Sequence, residues 1–222
     1  MLLPENSQLT AQKKSAPIIK GVVAFKLSGS NIMWIGTDGY LKQSDSNGQN
    51  IEQLSQAALK IDLKKPYKLE TLSGNTFLKA GNSLLLFDKE TKTFLVFHDA
   101  VKDFKISGDN QKVVYFNDSE ILISLLSDNL KTINSLVKTQ DKISDFYWLN
   151  NDYIIYTTTN NIIISEIDYR GNINSVTLPM TLNLADNTAV TVEKPQIFFD
   201  QPNKKLYILT QNQLLATDKL LP

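Results

Sequence analysis

His98 is the only histidine among the 222 residues, and its imidazole is the first group to weigh as a catalytic base or metal ligand. A Ser-His-Asp triad or a histidine metal cluster needs partner side chains that converge on the ring. His98 stands beside Asp99 at the end of a predicted strand. We therefore interpret it as a structural or exposed residue.

Two acidic stretches have residue types that could hold a cation or transfer a proton. Asp45-Ser46-Asn47-Gly48 places oxygen donors at alternate positions, as calcium loops do, but a bidentate glutamate at the expected distance is missing. We interpret this stretch as a hairpin turn. Asp118 and Glu120 lie in and just after another turn, where nothing holds the two carboxylates at a working separation. We expect neither stretch to be a metal site or an acid/base pair.

The remaining candidates are isolated glycines and the two tryptophans. Gly29, Gly74 and Gly108 stand between predicted strands and do not precede a helix, so a phosphate-binding loop is not indicated. Trp34 and Trp148 lie on predicted strands, where core packing is favoured over a stacking platform for a sugar or base. The sequence therefore predicts no catalytic, cofactor-binding or metal-binding residues.

The composition limits the classes of partner. The chain has 23 basic and 23 acidic residues, so no overall basic field attracts nucleic acid or anionic lipid. The lysines between Lys60 and Lys68 are interpreted as a solvated loop. Cysteine is absent, which excludes disulfides and thiolate zinc sites but leaves the compartment open. Residues 1–6 show no basic segment followed by a long apolar run, so we expect neither a signal peptide nor a membrane span.

A repeat organises the positions of these residues. The segments Phe25–Asn31 and Phe104–Asn110 share Phe, Lys, Ser, Gly and Asn at matching places, and Leu72-Ser73-Gly74-Asn75 lies between them. The Ser-Gly pairs begin at residues 28, 73 and 107, which gives spacings of 45 and 34. Looser copies occur at 146–151 and 199–203. A period of roughly 40 residues that is built from short strands and turns is typical of propeller blades.

Short runs rich in Val, Ile, Tyr, Phe and Thr alternate with turn signals along the chain. We predict a loose arm over 1–20, a helical turn at 57–59, and irregular polar structure over 179–194, least ordered at 183–188. The predicted strands are 22–27, 32–35, 40–42, 51–54, 67–72, 76–79, 83–87, 93–98, 101–106, 113–116, 121–125, 131–137, 143–149, 153–157, 162–167, 173–178, 196–199, 206–210 and 214–217.

These features predict an all-β fold, a β-propeller of about five blades of short antiparallel strands over 21–222, with the last blade incomplete. A β-sandwich is the runner-up, but sandwich strands do not repeat in fours. Because closed propellers commonly have six to eight blades, two forms remain open. One is a compact five-bladed ring, and the other is an open arc whose exposed strand edges invite another chain.

Several segments resemble known propellers. The stretch from Phe104 to Tyr115 is similar to the blade motif of TolB-like and other WD40-like bacterial propellers. The stretches 34–41 and 162–174 resemble the C-terminal propeller of PEGA-domain proteins from candidate bacterial phyla. Such proteins carry a membrane helix and PEGA domains before the propeller, and these patterns do not occur in the 222 residues. The resemblance implies a propeller in an exported, envelope-associated setting and assigns no catalytic residues.

Three functions follow as hypotheses. The first is a non-catalytic binding or scaffold module with a protein partner, because propellers present loops on a broad face around a central channel. The second is an accessory propeller domain of a hydrolase-type enzyme, which would need His, Asp or Arg side chains gathered at the channel mouth. The third is a purely structural part of the cell envelope. No cofactor, nucleic acid or direct membrane insertion is expected.

Overall fold

The structure is a computed structural model that describes residues 17–183 and 188–220. Those residues form four four-stranded antiparallel sheets, a two-stranded ribbon and a three-stranded sheet. A short 3-10 helix, Leu126–Asp128, lies in the connection between two consecutive strands of one sheet. Among the same residues no helix has the length and apolarity that crossing a membrane requires. The all-β prediction is therefore confirmed.

Each sheet is a meander of strands that are consecutive in the sequence. Sheet 1 contains β1 (Val22–Ser28), β2 (Asn31–Gly36), β3 (Leu41–Asp45) and β4 (Glu52–Gln53). Sheet 2 contains β5 (Tyr67–Leu72), β6 (Asn75–Ala80), β7 (Ser83–Asp88) and β8 (Thr93–His98). Sheet 3 contains β9 (Asp103–Ile106), β10 (Lys112–Phe116), β11 (Glu120–Leu125) and β12 (Asn134–Lys138).

The second half of the chain continues the pattern and then departs from it. Sheet 4 contains β13 (Asp145–Trp148), β14 (Tyr153–Thr157), β15 (Ile162–Glu166) and β16 (Ser175–Thr177). The ribbon pairs β17 (Thr181–Asn183) with β18 (Ala189–Thr191). Sheet 5 has only three strands, β19 (Gln196–Asp200), β20 (Lys205–Thr210) and β21 (Gln213–Lys219).

The interior sheets are apolar on both faces, because successive side chains of a strand point to opposite sides. In sheet 2, Phe77 and Leu84 pack toward sheet 3, whereas the next residues, Leu78 and Leu85, pack toward sheet 1. This explains why the central strands have almost continuous apolar sequences. Such strands belong between two layers rather than at a surface.

Four apolar clusters connect the five sheets in order. They join sheet 1 to sheet 2, sheet 2 to sheet 3, sheet 3 to sheet 4, and sheet 4 to sheet 5. The first strands lie side by side at the inner edges of the sheets, with β1 against β5, β9 against β13, and β13 against β19. Among residues 17–183 and 188–220, no apolar cluster joins sheet 5 back to sheet 1.

Two predictions were wrong for identifiable physical reasons. Residues 57–59 do not form a helical turn, because the Leu59 amide donates to the Gly39 carbonyl at 2.9 Å and holds the segment against the β2–β3 turn. The polar stretch 179–194 contains the β17–β18 ribbon. The ribbon is held in place by a 2.7 Å bond from the Val192 amide to the Met180 carbonyl and by the packing of Leu182 on the sheet 4–sheet 5 cluster.

Some predicted segments fall partly outside the described residues. These are 1–16 of the predicted arm and 184–187 of the stretch predicted to be least ordered. At the end of the arm, Ile18 and Ile19 lie close against the turn at Gly48. A Cβ atom on Gly48 would lie 2.5 Å from Ile18 Cγ2, so this contact requires a glycine.

Candidate functional site

The structure does not give His98 the surroundings of a catalytic base. Its ring lies at the end of β8, with the centroid 5.1 Å from that of Tyr115. The neighbouring Asp99 accepts a 2.8 Å hydrogen bond from the Ser83 hydroxyl. Within the described part of the chain, no group of three or more His, Cys, Asp or Glu side chains could hold a metal ion.

The acidic candidates have structural partners. One carboxylate oxygen of Asp45 accepts the amides of Asn47 and Gln49, each at 2.9 Å, so the stretch is the predicted hairpin turn. These bonds lower the pKa of Asp45, with the Gln49 amide as the largest cause. Asp118 pairs with Lys102 and lies 3.8 Å from Lys142, whereas Glu120 accepts from Ser135 at 2.8 Å. Glu120 also lies 3.4 Å from Lys138, so the two carboxylates belong to separate ion pairs.

The tryptophans and glycines also have structural roles. Trp34 and Trp148 are buried, as predicted, and the Trp148 indole donates to the Lys105 carbonyl at 3.2 Å. Gly29 and Gly74 have positive φ angles of 61° and 82° in two-residue hairpins. Gly108 does not need a positive φ, because Asn110 has that conformation in the longer β9–β10 loop.

The inner strands contain a row of lysines that was not predicted. Lys26 of β1 lies 2.5 Å from Glu70 of β5. Lys68 of β5 lies 2.8 Å from Asp103 of β9 and also donates to the Phe104 carbonyl at 2.6 Å. Each lysine therefore reaches from the inner strand of one sheet to the inner strand of the next.

Lys105 of β9 repeats the arrangement one sheet further on. Its ammonium lies 3.0 Å from Asp145 of β13, donates to the Phe146 carbonyl and stands 3.5 Å from the centroid of the Tyr147 ring. Burial lowers the pKa of Lys105, and the attraction of Asp145 opposes that shift. The ammonium is therefore held by a carboxylate, a carbonyl and an aromatic ring of sheet 4.

The fourth junction uses aromatic rings instead of an ion pair. Tyr147 of β13 contacts Phe198 of β19, with ring centroids 5.9 Å apart and planes at 75°. An edge-to-face contact of this kind favours a fixed approach of two sheets. The inner edge therefore changes from charged at sheets 1 to 4 to aromatic between sheets 4 and 5.

A groove lies over this charged row. It has a volume of about 350 Å³ and is lined mainly by inner strands β5 and β9 and by the β9–β10 loop. Lys26, Lys68, Glu70 and Lys105 supply its charges, and Thr71 and Asn110 supply uncharged polar groups. The Ser73 hydroxyl donates a 3.1 Å hydrogen bond to the carbonyl of the lining residue Asn110. We call this hollow the inner groove.

A fourth lysine lies near the Lys68–Asp103 ion pair. Lys79 of β6 is buried and donates to the Gly81 carbonyl at 2.6 Å. Desolvation lowers its pKa, whereas the nearby Asp103 carboxylate raises it. Asp103 thus serves Lys68 directly and Lys79 through space, and the inner groove contains charges whose positions are set before any ligand arrives.

The inner groove could have been found in the sequence through the repeat. Lys68 and Asp103 are 35 residues apart, and Lys105 and Asp145 are 40 apart, which is close to one repeat. A lysine followed by an acid one repeat later is therefore the signal of the contact. The matching Phe-Lys pairs at 25–26 and 104–105 contain the lysine of this signal but not the acidic residue.

Comparison with known proteins gives the fold. No family model matches the sequence, and no curated protein matches it. The chain superposes on YCF48 from Cyanidioschyzon merolae with a TM-score of 0.57 and 10% identity, over 88% of this chain and 68% of that one. For YCF48 bound to D1 peptide, the TM-score is 0.52 with 14% identity, over 86% of this chain and 62% of that one.

Two further solved structures are longer proteins. The extracellular domain of a putative hybrid two-component system from B. thetaiotaomicron gives a TM-score of 0.57 and 12% identity, over 88% of this chain and 27% of that one. The tricorn protease gives 0.52 and 17%, over 84% of this chain and 18% of that one. The chain thus spans under a third of these two. All of these neighbours are β-propeller proteins, and the likeness shows that this chain has a β-propeller fold.

Proposed function

We propose that this chain is a non-catalytic protein-interaction module that binds an extended polypeptide segment in the inner groove. The observation that carries the proposal is the inner groove itself, in which Lys26, Lys68, Glu70 and Lys105 line one hollow. Cross-sheet ion pairs hold these side chains in place. Groups that are ordered in advance reduce the entropy that a ligand must remove on binding.

A polypeptide is the ligand that this chemistry suits. The inner groove offers donors from lysine, acceptors from Glu70, and uncharged polar groups at Thr71 and Asn110. A peptide backbone has both donors and acceptors, and its side chains can supply either charge. A fold neighbour, YCF48, has been solved with the D1 peptide bound, which supports the same ligand class here.

The setting we infer is the bacterial cell envelope, as a TolB-like propeller of the kind associated with PEGA domains. The sequence resemblance supports it, and one fold neighbour is an extracellular domain. Fractionation of the native host tests the inference: the protein is expected in the envelope fraction. Recovery from the cytosol alone would contradict it.

The peptide proposal is tested by selection from a displayed library of random peptides, followed by fluorescence anisotropy with the selected peptides. Thr71→Trp fills the inner groove and is expected to weaken their binding by at least about tenfold, because the indole occupies the ligand's volume. Thr93→Trp on the outer strand β8 is the matched control and is expected to leave binding unchanged. Peptides that bind Thr71→Trp as tightly as the wild type would contradict the inner groove as the site.

The alternative is an accessory domain of a hydrolase-type enzyme, and the tricorn protease among the fold neighbours makes it worth testing. A panel of peptide, ester and glycoside substrates is expected to show no turnover above that of a heat-inactivated sample. Turnover that Thr71→Trp abolishes and Thr93→Trp retains would overturn the non-catalytic proposal.

A further inference from the structure

We propose that the two outermost sheet faces bind each other between two copies of this chain, head to tail. Sheets 2, 3 and 4 contribute to an apolar cluster on both faces, whereas sheets 1 and 5 each contribute to one. The remaining face of sheet 1 has exposed apolar side chains beside the buried Trp34, and the remaining face of sheet 5 has exposed apolar side chains. This surface is separate from the inner groove, so the inference does not depend on the proposed function.

The bare face of sheet 1 contains Phe25, Leu27 and Ile32. Leu27 pairs across the hairpin with Ile32, and Phe25 lies two residues earlier on the same side. Phe25 is 61% exposed and Leu27 is 62% exposed. Phe25 and Ile32, together with Ile18, border an open apolar hollow of about 510 Å³.

The bare face of sheet 5 contains Phe198, Tyr207, Leu209 and Leu214. Phe198 pairs with Tyr207, and Leu209 pairs with Leu214, which places the four side chains on one side. Phe198 is 57% exposed and Leu214 is 68% exposed. The opposite side of the same sheet, with Leu206 and Ile208, is buried against sheet 4.

The orientation of these faces makes them complementary. Each inner sheet packs one face on the preceding sheet and the other face on the following sheet. In sheet 5, the face that would pack on a following sheet has no partner sheet. In sheet 1, the face that would pack on a preceding sheet has no partner sheet. Contact between two copies therefore continues the packing rule of the four existing junctions.

The chemistry of the inner strands favours this pairing. The junctions between sheets 1 and 4 each combine a lysine with a carboxylate, but β1 has no carboxylate and β19 has no lysine. Instead, both bare faces have a phenylalanine on the inner strand, Phe25 and Phe198. The ring of Phe198 contacts Tyr147 of sheet 4 at its edge, and more than half of its surface stays exposed on the outer face of sheet 5.

A heterologous contact of this kind has a distinctive test, because each copy contributes a different face. Sedimentation velocity of the full chain, from low micromolar to hundreds of micromolar, is expected to show concentration-dependent association. Phe25→Asp and Leu214→Asp each place a charge in the junction. Each is expected to weaken association by at least about tenfold, because an unpaired charge would be buried.

Mixing the two variants is the decisive step. Phe25→Asp retains an intact sheet 5 face and Leu214→Asp retains an intact sheet 1 face, so the mixture is expected to form a one-to-one heterodimer that neither variant forms alone. Leu95→Asp on β8, at a residue that is 53% exposed but away from both faces, is the control and is expected to associate like the wild type. Urea unfolding of each variant confirms that it is folded.

Three outcomes would overturn the proposal. They are a wild-type protein that stays monomeric at every concentration, association that Leu95→Asp weakens equally, and a mixture that forms no heterodimer. The first would leave the bare faces to the sheet of a different protein. The last, with one variant still dimeric, would indicate a symmetric contact of one face with itself.

Discussion

Sheets 1 and 3 contain nearly the same seven residues, 25–31 and 104–110, at the end of the first strand and in the turn that follows, yet those residues have different roles. Phe25 lies on the bare face of sheet 1, whereas its counterpart Phe104 is fully buried between sheets 2 and 3. Each is paired with a large aromatic residue on the next strand, Trp34 and Tyr115 respectively. The repeated sequence thus determines the strand arrangement within a sheet. The position of the sheet in the stack determines whether an equivalent side chain is buried or exposed.

The lysines of the two copies differ in the same direction. Lys26 has one carboxylate partner, whereas Lys105 combines a carboxylate, a carbonyl and the face of a tyrosine ring. The turns also differ. In sheet 1 the residue with positive φ is Gly29, in a two-residue hairpin, whereas in sheet 3 it is Asn110. The lysine of the interior sheet therefore has more contact partners than the equivalent lysine of the outer sheet.

The largest expected effect separates the two phenylalanines. Phe104→Ala is expected to lower the free energy of unfolding by about 3–5 kcal/mol, because it opens a cavity between sheets 2 and 3. Phe25→Ala is expected to change it by less than about 1 kcal/mol in the monomer, since the ring is mostly exposed. Urea unfolding at low protein concentration measures both, and equal losses would contradict the distinction.

The lysines are expected to differ by a smaller amount. Lys105→Ala is expected to lower the free energy of unfolding by about 2 kcal/mol, because Asp145 and the Phe146 carbonyl lose a charged donor in a half-buried site. Lys26 is more exposed than Lys105 and has a single ion-pair partner, so Lys26→Ala is expected to cost under about 1 kcal/mol. Lys105→Met retains the aliphatic stem and therefore isolates the loss of the charge.

Alkaline pH gives a third contrast, because Tyr115 titrates and its counterpart Trp34 does not. Burial raises the pKa of Tyr115 from 10.0 to about 12. An unfolded tyrosine loses its proton near pH 10, so the folded state binds more protons between these values and stability falls as the pH rises through that window. Tyr115→Phe is expected to make this fall shallower.

The control for the alkaline experiment is Tyr153→Phe, at a residue that lies at the solvent-facing start of β14. Its urea midpoints between pH 9 and pH 12 are expected to follow those of the wild type, since residue 153 is 39% exposed and the substitution leaves the burial of Tyr115 unchanged. An unchanged slope in Tyr115→Phe would show that burial of this ring does not control the alkaline loss.

The smallest effect concerns the two equivalent glycines. Gly29→Ala is expected to cost about 1 kcal/mol, because φ is +61° there even though an added Cβ would meet no atom within 4 Å. Gly108→Ala has no such conformational penalty, and its Cβ would lie an ordinary 3.5 Å from Asn151 Oδ1. We expect the second change to be neutral or slightly stabilising. Thermal unfolding of the pair distinguishes these outcomes.

Local periodicity was sufficient to predict most strands. Alternating apolar residues indicate a strand with one buried face, and a continuous apolar run indicates a strand with two. Tyr67–Leu72 and Thr93–His98 were predicted with the bounds that the structure has. The β17–β18 ribbon was missed, since it is short and its residues are mostly polar and exposed. The inner groove was missed because its ion pairs connect different sheets, and a pattern within one strand contains no information about the register between sheets.

The meander arrangement of every sheet has a consequence for the order in which the sheets unfold. In the described residues, no sheet contains a strand from a distant part of the chain. Strand pairing therefore does not connect the first sheet to the last. Amide hydrogen exchange should therefore be fastest in β1 to β4 and β19 to β21, and slowest in β10 and β14, as the outer layers fray before the middle of the stack.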